Sequence, residues 1–174
     1  MKTRQTHGTL RDCVQMMMNK SLSQRRLYYL NDPQEIPYSP TCEVAENHEV
    51  DLFGQAATCV GVTSIATDTS YKKPLVSDSF APCVPLVAIG RTGTHLAHCN
   101  GISGITRYSA IWLTSHRIMV IGKTNSARQI QVARKIQEIL RNHGFGQAEL
   151  FEVPYEDTMG VIVIGSTVLA YPHA

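Results

Sequence analysis

The segment from residue 77 to residue 99, SDSFAPCVPLVAIGRTGTHLAHC, holds the residues best suited to covalent chemistry. Cys83 stands at the head of an apolar run, and His95 and His98 follow on the next one. A thiolate is the working sulfur nucleophile, and a neighbouring imidazole both lowers the thiol pKa and shuttles the proton. A hairpin brings such residues within side-chain reach although they are far apart in sequence. If the second run is a strand, His95 and His98 point to opposite faces, so only one of them faces Cys83. The competing account is plain packing, because free cysteine is among the most buried residue types.

The elements that must position these residues are mainly strands. Cys83 to Ile89 (CVPLVAI) is apolar on both pleat faces, as expected of a strand covered on each side. Gly90-Arg91-Thr92-Gly93 supplies turn chemistry, and Thr94 to Cys99 resumes as a strand. Ala56 to Ala66 and Pro74 to Val76 read as short strands upstream. Ile111 to Leu113, Arg117 to Ile121, Glu149 to Val153 and Val161 to Ile164 do so downstream. The clearest helix runs from about Ser126 to Asn142, with Thr124 and Asn125 as N-cap candidates. Val132, Ala133, Ile136, Ile139 and Leu140 form its apolar stripe, and Gly144 closes it.

The first fifty residues differ. Leu10 to Leu30 carries a helical signal of imperfect period, and NDPQEIPYSPT at 31–41 reads as a linker or extended arm. A soft boundary near residue 48 follows, dividing a polar N-terminal arm or helix (1–47) from a catalytic domain (48–174). The expected fold class is α+β, a mainly β core of sandwich-like mixed sheets with one long helix packed on it.

Bulk composition narrows the function classes. With 174 residues, 43% of them hydrophobic, the chain can build one well-formed core. A formal net charge of +2 gives no reason to expect nucleic acid or a membrane surface as a partner. No segment approaches the ~18–20 apolar residues of a membrane span, since Val161 to Tyr171 is broken by Gly165, Ser166 and Thr167. The opening MKTRQTHGTLRD lacks an apolar core, so a cleaved secretory signal is not expected. The five cysteines, at 13, 42, 59, 83 and 99, are irregularly spaced without a CxxC, which argues for reduced thiols in a cytosolic setting.

The 77–99 segment resembles the catalytic hairpin of the cysteine glutamine deamidases: the chemoreceptor deamidases of the CheD type and the catalytic domain of cytotoxic necrotizing factor toxins. Those families place a cysteine at the start of a strand and a histidine on the following strand. Cys83 and His98 are fifteen residues apart, which matches the toxin pattern better than His95 does. GTHLAHC and the later run HRIMVIGKTNSARQIQVARKIQEILRNHGF also resemble CheD, so the likeness spans roughly residues 75 to 165. The resemblance implies Cys83 as nucleophile and His98 as base. Ser77, six residues before Cys83, lies near where the CheD type has a threonine and would orient the imidazole.

One departure has a physical cost. The glycine-serine pair that precedes the family cysteine is Ala81-Pro82 here. Pro82 and Pro85 have no N–H, so an oxyanion hole must draw on Cys83, Val84 or a donor elsewhere. The implied reaction is hydrolysis of a protein glutamine to glutamate with release of ammonia, needing no cofactor and no metal. The implied partner is a glutamine-bearing protein, such as a chemoreceptor or a small GTPase. The implied setting is the cytoplasm, or a host cell entered by a bacterial effector.

Other readings compete. CVPL at 83–86 resembles the motif of the laccase-domain purine nucleoside phosphorylases, which bind zinc through a cysteine and two histidines, and His48 is the upstream candidate. The glycine-tryptophan-arginine expected after the motif histidine is CNGIS here. A local zinc site of His95, His98 and Cys99 is disfavoured, because adjacent strand residues face apart. Gly122-Lys123-Thr124 lacks the preceding glycine of a phosphate loop, Arg117 standing in its place. Arg128, Arg134, Lys135 and Arg141 read as the solvated face of the long helix. A binding module with a merely packed Cys83 is the non-enzymatic alternative.

Overall fold

The computed structural model describes residues 3–20, 22, 26–39, 44–102, 105 and 109–173, the side chains of Ser109, Ala110 and Leu113 excepted. Cys42 and the end of the proline-rich stretch lie outside the described residues.

Two mixed sheets carry the fold, with strands numbered in chain order. The first has seven strands in the order β1 (Arg4–Thr6), β2 (Leu27–Leu30), β12 (Thr167–Pro172), β11 (Met159–Ile164), β6 (Leu75–Phe80), β4 (Gln55–Cys59) and β3 (His48–Leu52). The second has five, in the order β10 (Ala148–Val153), β9 (Ser115–Lys123), β7 (Val84–Gly90), β8 (Gly93–Cys99) and β5 (Ile65–Asp68). Among the described residues three helices join them: α1 (Leu10–Met18), α2 (Ser109–Thr114) and α3 (Ala127–Asn142).

Period-two alternation explains the layers. One face of each sheet contributes to a shared inner core that includes Val87, Leu96, Met119, Phe151 and Val161. The outer face of the seven-stranded sheet, with Cys59, Val76 and Ile162, is covered by Leu10, Cys13, Val14 and Met17 of α1. The outer face of the five-stranded sheet, with Leu86, Ala88, Ile118 and Val120, is covered by Ala133, Ile136 and Leu140 of α3. The architecture is therefore an α–β–β–α sandwich, and burying each large aliphatic side chain contributes roughly 1.5–3 kcal/mol.

The long helix is seated by one glycine. Gly122 lies on β9 beneath α3, and a Cβ there would overlap Cδ1 of Ile130 and press on Cβ of Ala133. Its capping differs from the sequence expectation. Ser126 is the N-cap residue and makes no side-chain cap bond. Thr124 and Asn125 instead donate to the carbonyls of Val153 and Pro154, tying the turn to the end of β10. Gly144 does follow the helix with a left-handed φ of 92°.

Further expectations for individual elements change. The 10–30 stretch is a nine-residue helix followed by strand β2, because the apolar pattern switches from Leu10, Val14 and Met17 to the continuous run Leu27–Leu30. Across the expected boundary near residue 48, β1 and β2 join the same sheet as β11 and β12, with β2 parallel to β12. Ile111–Leu113 lies in helix α2, where Trp112 is buried and its Nε1 donates to the Ile105 carbonyl at 2.7 Å. Ala56–Ala66 resolves into β4 and the start of β5, which belong to different sheets.

The seating of α3 makes a direct prediction. Gly122→Ala should lower the unfolding free energy by about 1–3 kcal/mol in urea titration. Gly146→Ala, where a Cβ meets nothing within 4 Å, should leave it nearly unchanged.

Candidate active site

The chain passes from one sheet to the other between Phe80 and Val84, and Cys83 sits at the end of that crossing. Across the β7–β8 ladder Pro85 pairs with His98, Val87 with Leu96 and Ile89 with Thr94. Cys83 belongs with Val87 and Leu96 to the inner core, so Cys83 and His98 share the inner face. Cys83 lies diagonally across from His98, a relation that sets backbone positions roughly 7–8 Å apart. Among the described residues no hydrogen bond joins the Cys83 sulfur to the imidazole.

His98 is held on both sides by β6. The Ser77 hydroxyl lies 2.8 Å from His98 Nδ1 and donates to the Val60 carbonyl at 2.8 Å. A hydroxyl has a single proton, and a carbonyl only accepts. The Ser77 proton therefore goes to Val60, and His98 must donate Nδ1–H to the Ser77 oxygen. That tautomer leaves Nε2 unprotonated, and Nε2 is buried with no hydrogen-bond partner among the described residues. Phe80 stacks on the same imidazole, with ring centroids 4.1 Å apart and planes inclined by 22°. The main chain is pinned as well: His98 N–H donates to the Ser64 carbonyl, and Thr63 N–H donates to the His98 carbonyl.

Ser77 and Phe80 are three residues apart, and in a regular strand they would face opposite ways. A bulge removes the conflict. Against β11, Ser77 pairs with Val161 but Phe80 pairs with Met159, so Asp78 and Ser79 together oppose Gly160. Ser79 takes a left-handed φ of 63° and donates from its hydroxyl to Asp78 Oδ1. The extra residue returns Phe80 to the inner face, while Asp78 faces outward near the hydrogen-bonded hydroxyls of Tyr38 and Tyr171.

Electrostatically the resting site is neutral. Burial holds the His98 imidazole down to about 4. Burial also pushes the Cys83 thiol up, so no thiolate–imidazolium pair forms at rest. Cys99 reaches the surface in part, yet its thiol is pushed up to about 12, first by burial and then by the neighbouring Cys83.

Sequence reasoning gave neither of two further contributors a place at this site. Gln129, in the first turn of α3, is fully buried. Its Nε2 donates to the Cys83 carbonyl at 3.4 Å and to the Ile121 carbonyl at 3.1 Å, while its Oε1 accepts the Lys123 N–H at 2.7 Å. It thereby ties the head of β7 to the end of β9. Lys123 is buried, its amine held down to about 8 by burial, with Nζ donating to the Asp157 carbonyl at 2.6 Å. Lys123, Ser126, Glu156, Asp157, Ala81 and Pro82 line a recess of about 300 Å³ at the crossing that leads into Cys83.

The remaining candidates are placed as follows. Val84 begins β7 opposite Cys99, its side chain on the α3 side. His95 also lies on the face away from Cys83, where its Nδ1 is 2.7 Å from the Thr67 hydroxyl. His48 pairs with Cys59, which faces α1 on the outer side of the seven-stranded sheet. A zinc set of Cys83, His98 and His48 therefore does not fit, and no group of three His, Cys, Asp or Glu side chains able to hold a metal occurs among the described residues. Gly122-Lys123-Thr124 is used for packing: the glycine under α3, the lysine on Asp157 and the threonine on Val153. No helix among the described residues is long and apolar enough to cross a membrane.

No protein-family model matches this chain, and no curated protein matches it.

Two measurements follow from the site. An unfolded histidine binds its proton near 6.5 and folded His98 near 4. Between those values the unfolded chain binds more protons, so His98's share of stability is present above about 6.5 and lost as pH falls through about 4. The loss reaches about 3 kcal/mol, and urea midpoints of His98→Asn should decline less over that window. At the bulge, Ser79→Val should cost about 1–3 kcal/mol. Ser79→Gly should stay within about 1 kcal/mol of the parent.

Proposed function

We propose that this protein is a cysteine-dependent protein-glutamine deamidase, a hydrolase of a side-chain carboxamide. One observation carries the reading: the Ser77–His98 hydrogen bond, which leaves Nε2 as an unprotonated acceptor on the same inner face as Cys83. A buried imidazole fixed in one tautomer by a third group, beside a thiol, is the arrangement nucleophilic acyl transfer needs. The six-residue spacing of Ser77 and Cys83 and the strand-to-strand placement of Cys83 and His98 agree with the deamidase resemblance.

The chemistry runs in two halves. The Cys83 thiol gives its proton to His98 Nε2 as Sγ attacks the glutamine Cδ. The resulting oxyanion is met by main-chain N–H groups of Cys83 or Val84, since Pro82 and Pro85 offer none. His98 returns the proton to the amide nitrogen, ammonia leaves and a thioester remains. Water then loses a proton to Nε2 and attacks the thioester carbon. The sulfur departs, regains its proton from His98, and glutamate is released. The thiol and imidazole are not hydrogen-bonded at rest, so substrate entering by the recess beside Pro82 brings them together. Contacts of this kind often tighten only in the Michaelis complex.

The test is mass spectrometry of candidate proteins, chemoreceptors and small GTPases included, incubated with the parent or with Cys83→Ser. Gln→Glu conversion, a gain of about 1 Da, is expected with the parent alone. His98→Asn should lower the rate about 10²–10⁴-fold, and Ser77→Ala roughly 10–100-fold as a positioning residue. Ser77→Thr, which keeps the hydroxyl, should restore most of the rate. Because the imidazole is neutral above about 4, the acid limb should fall well below pH 6.5. Conversion that survives Cys83→Ser would reject the assignment.

A further inference from the structure

A second cleft lies at the other end of the sandwich. Strand β7 leaves Cys83 and finishes seven residues later at Gly90, roughly 20 Å away at strand rise. There a cleft of about 680 Å³ opens, lined by Lys20, Tyr71, Arg91, His116, Arg117 and Glu149 among others. Three fixed cations face one carboxylate in that lining, whereas the whole chain has sixteen basic residues to fourteen acidic. The residues come from separate parts of the chain: the end of α1, the loop before β6, the β7–β8 turn, β9 and β10.

Two carbonyl acceptors in its walls are hydrogen-bonded. The Tyr71 hydroxyl donates to the Gly90 carbonyl, and the Thr94 hydroxyl donates to the Gly165 carbonyl at 2.8 Å. Arg117 is only 8% exposed, with its guanidinium carbon 6.0 Å from the centre of the Phe151 ring. Five non-glycine residues among those described have a left-handed φ. Ser79 and Thr63 are at the Cys83–His98 site, and Phe53 is in the β3–β4 turn. The other two, Lys20 at 57° and Tyr71 at 60°, both line this cleft. Such conformations cost of order 1–3 kcal/mol and cluster where a site must be preorganised. Next to the cleft is a compartment of about 330 Å³ whose lining combines the apolar Met17, Met18 and Ile164 with Lys72 and Thr167, and which shares Lys20, Tyr71, Gly165 and Ser166 with it.

We propose that this cleft binds an organic phosphate monoester, the dianion against Arg91, Lys20 and Arg117 and its apolar substituent against Met17, Met18 and Ile164. A phosphate monoester carries about −1.5 to −2 charges at pH 7, which matches the excess of two cations over Glu149. Guanidinium groups give it bidentate, charge-assisted hydrogen bonds. The cleft also lies within the roughly 300–1,000 Å³ usual for small-ligand sites.

Calorimetric titration with phenyl phosphate, inorganic phosphate and phenol, at constant ionic strength in chloride, tests this. Saturable binding of phenyl phosphate is expected, tighter than inorganic phosphate, with phenol not binding measurably. Arg91 and Lys20 are both exposed, so Arg91→Ala and Lys20→Ala should fold normally by circular dichroism. Each should weaken phenyl phosphate by at least about tenfold. Met17→Ser should reduce the preference for phenyl phosphate over inorganic phosphate. Absence of saturable binding to the folded parent, or equal affinity in the Arg91 and Lys20 variants, would overturn the proposal. A phospholipid headgroup is the other source of the same chemistry. Cosedimentation with vesicles of phosphatidic acid, absent with phosphatidylcholine and lost in Arg91→Ala, would assign the site to it. No cosedimentation, with phenyl phosphate still bound, assigns it to a soluble monoester.

Discussion

One extra residue in β6 sets the geometry of the whole inner site. Because Asp78 and Ser79 together oppose Gly160, Ser77 and Phe80 both face His98. The hydroxyl fixes the proton on Nδ1, and the ring fixes the plane of the imidazole. Without the bulge the strand could supply one of these contacts and not the other. The left-handed backbone at Ser79 is the cost, and the register of β6 with β11 on both sides of it holds the residue there. Gly160 has its own reason to be small, since a Cβ would overlap the Tyr171 ring. The bulge is therefore locked from both strands.

Burial gives this site its electrical character. In a low-dielectric interior, separated charges are disfavoured until something pairs with them. His98 and Cys83 accordingly rest as neutral groups, unlike a preformed thiolate–imidazolium pair. Any proton transfer between them would create charge where water is scarce, and so would need a polar group brought in beside them. Gln129 supports the same logic mechanically. By spanning Cys83, Ile121 and Lys123 it keeps the crossing loop from relaxing away from the sheet.

Much of this was legible in the sequence because it follows period-two alternation. The separation of His95 from His98, the paired strands around Gly90–Gly93 and the long helix ending at Gly144 all come from simple periodicities and turn chemistry. Cys83 and His98 were legible as types and spacings and Ser77 only through the family resemblance, and the structure puts Ser77 and His98 in hydrogen-bond contact and Cys83 on their face. The bulge was not legible, since Ser79 is an ordinary residue whose backbone is imposed by pairing with a distant strand. Phe80 and Gln129 resemble any core aromatic and any helical amide. The 10–30 region misled because Met and Gln support a helix while the following Leu-Tyr-Tyr-Leu suits either element. Ile111–Leu113 misled as a three-residue apolar run, which periodicity cannot assign. Parallel pairing of β2 with β12 joins segments about 140 residues apart, a relation that no local pattern encodes.

That long-range pairing bears on the order in which the molecule can assemble. β6, which carries Ser77, takes one neighbour from β4 and the other from β11, and β11 is completed only at residue 164. β12 follows it and is flanked on its far side by β2, made at residues 27–30. During synthesis, then, the five-stranded sheet has all its strands once Val153 has emerged, while the seven-stranded sheet still lacks its centre. The thiol and the imidazole can be in place on one sheet while the strand that carries Ser77 is paired with β4 alone and still lacks β11. A topology so rich in distant contacts folds slowly, on millisecond-to-second scales. The oriented imidazole would thus be among the last features the nascent chain acquires.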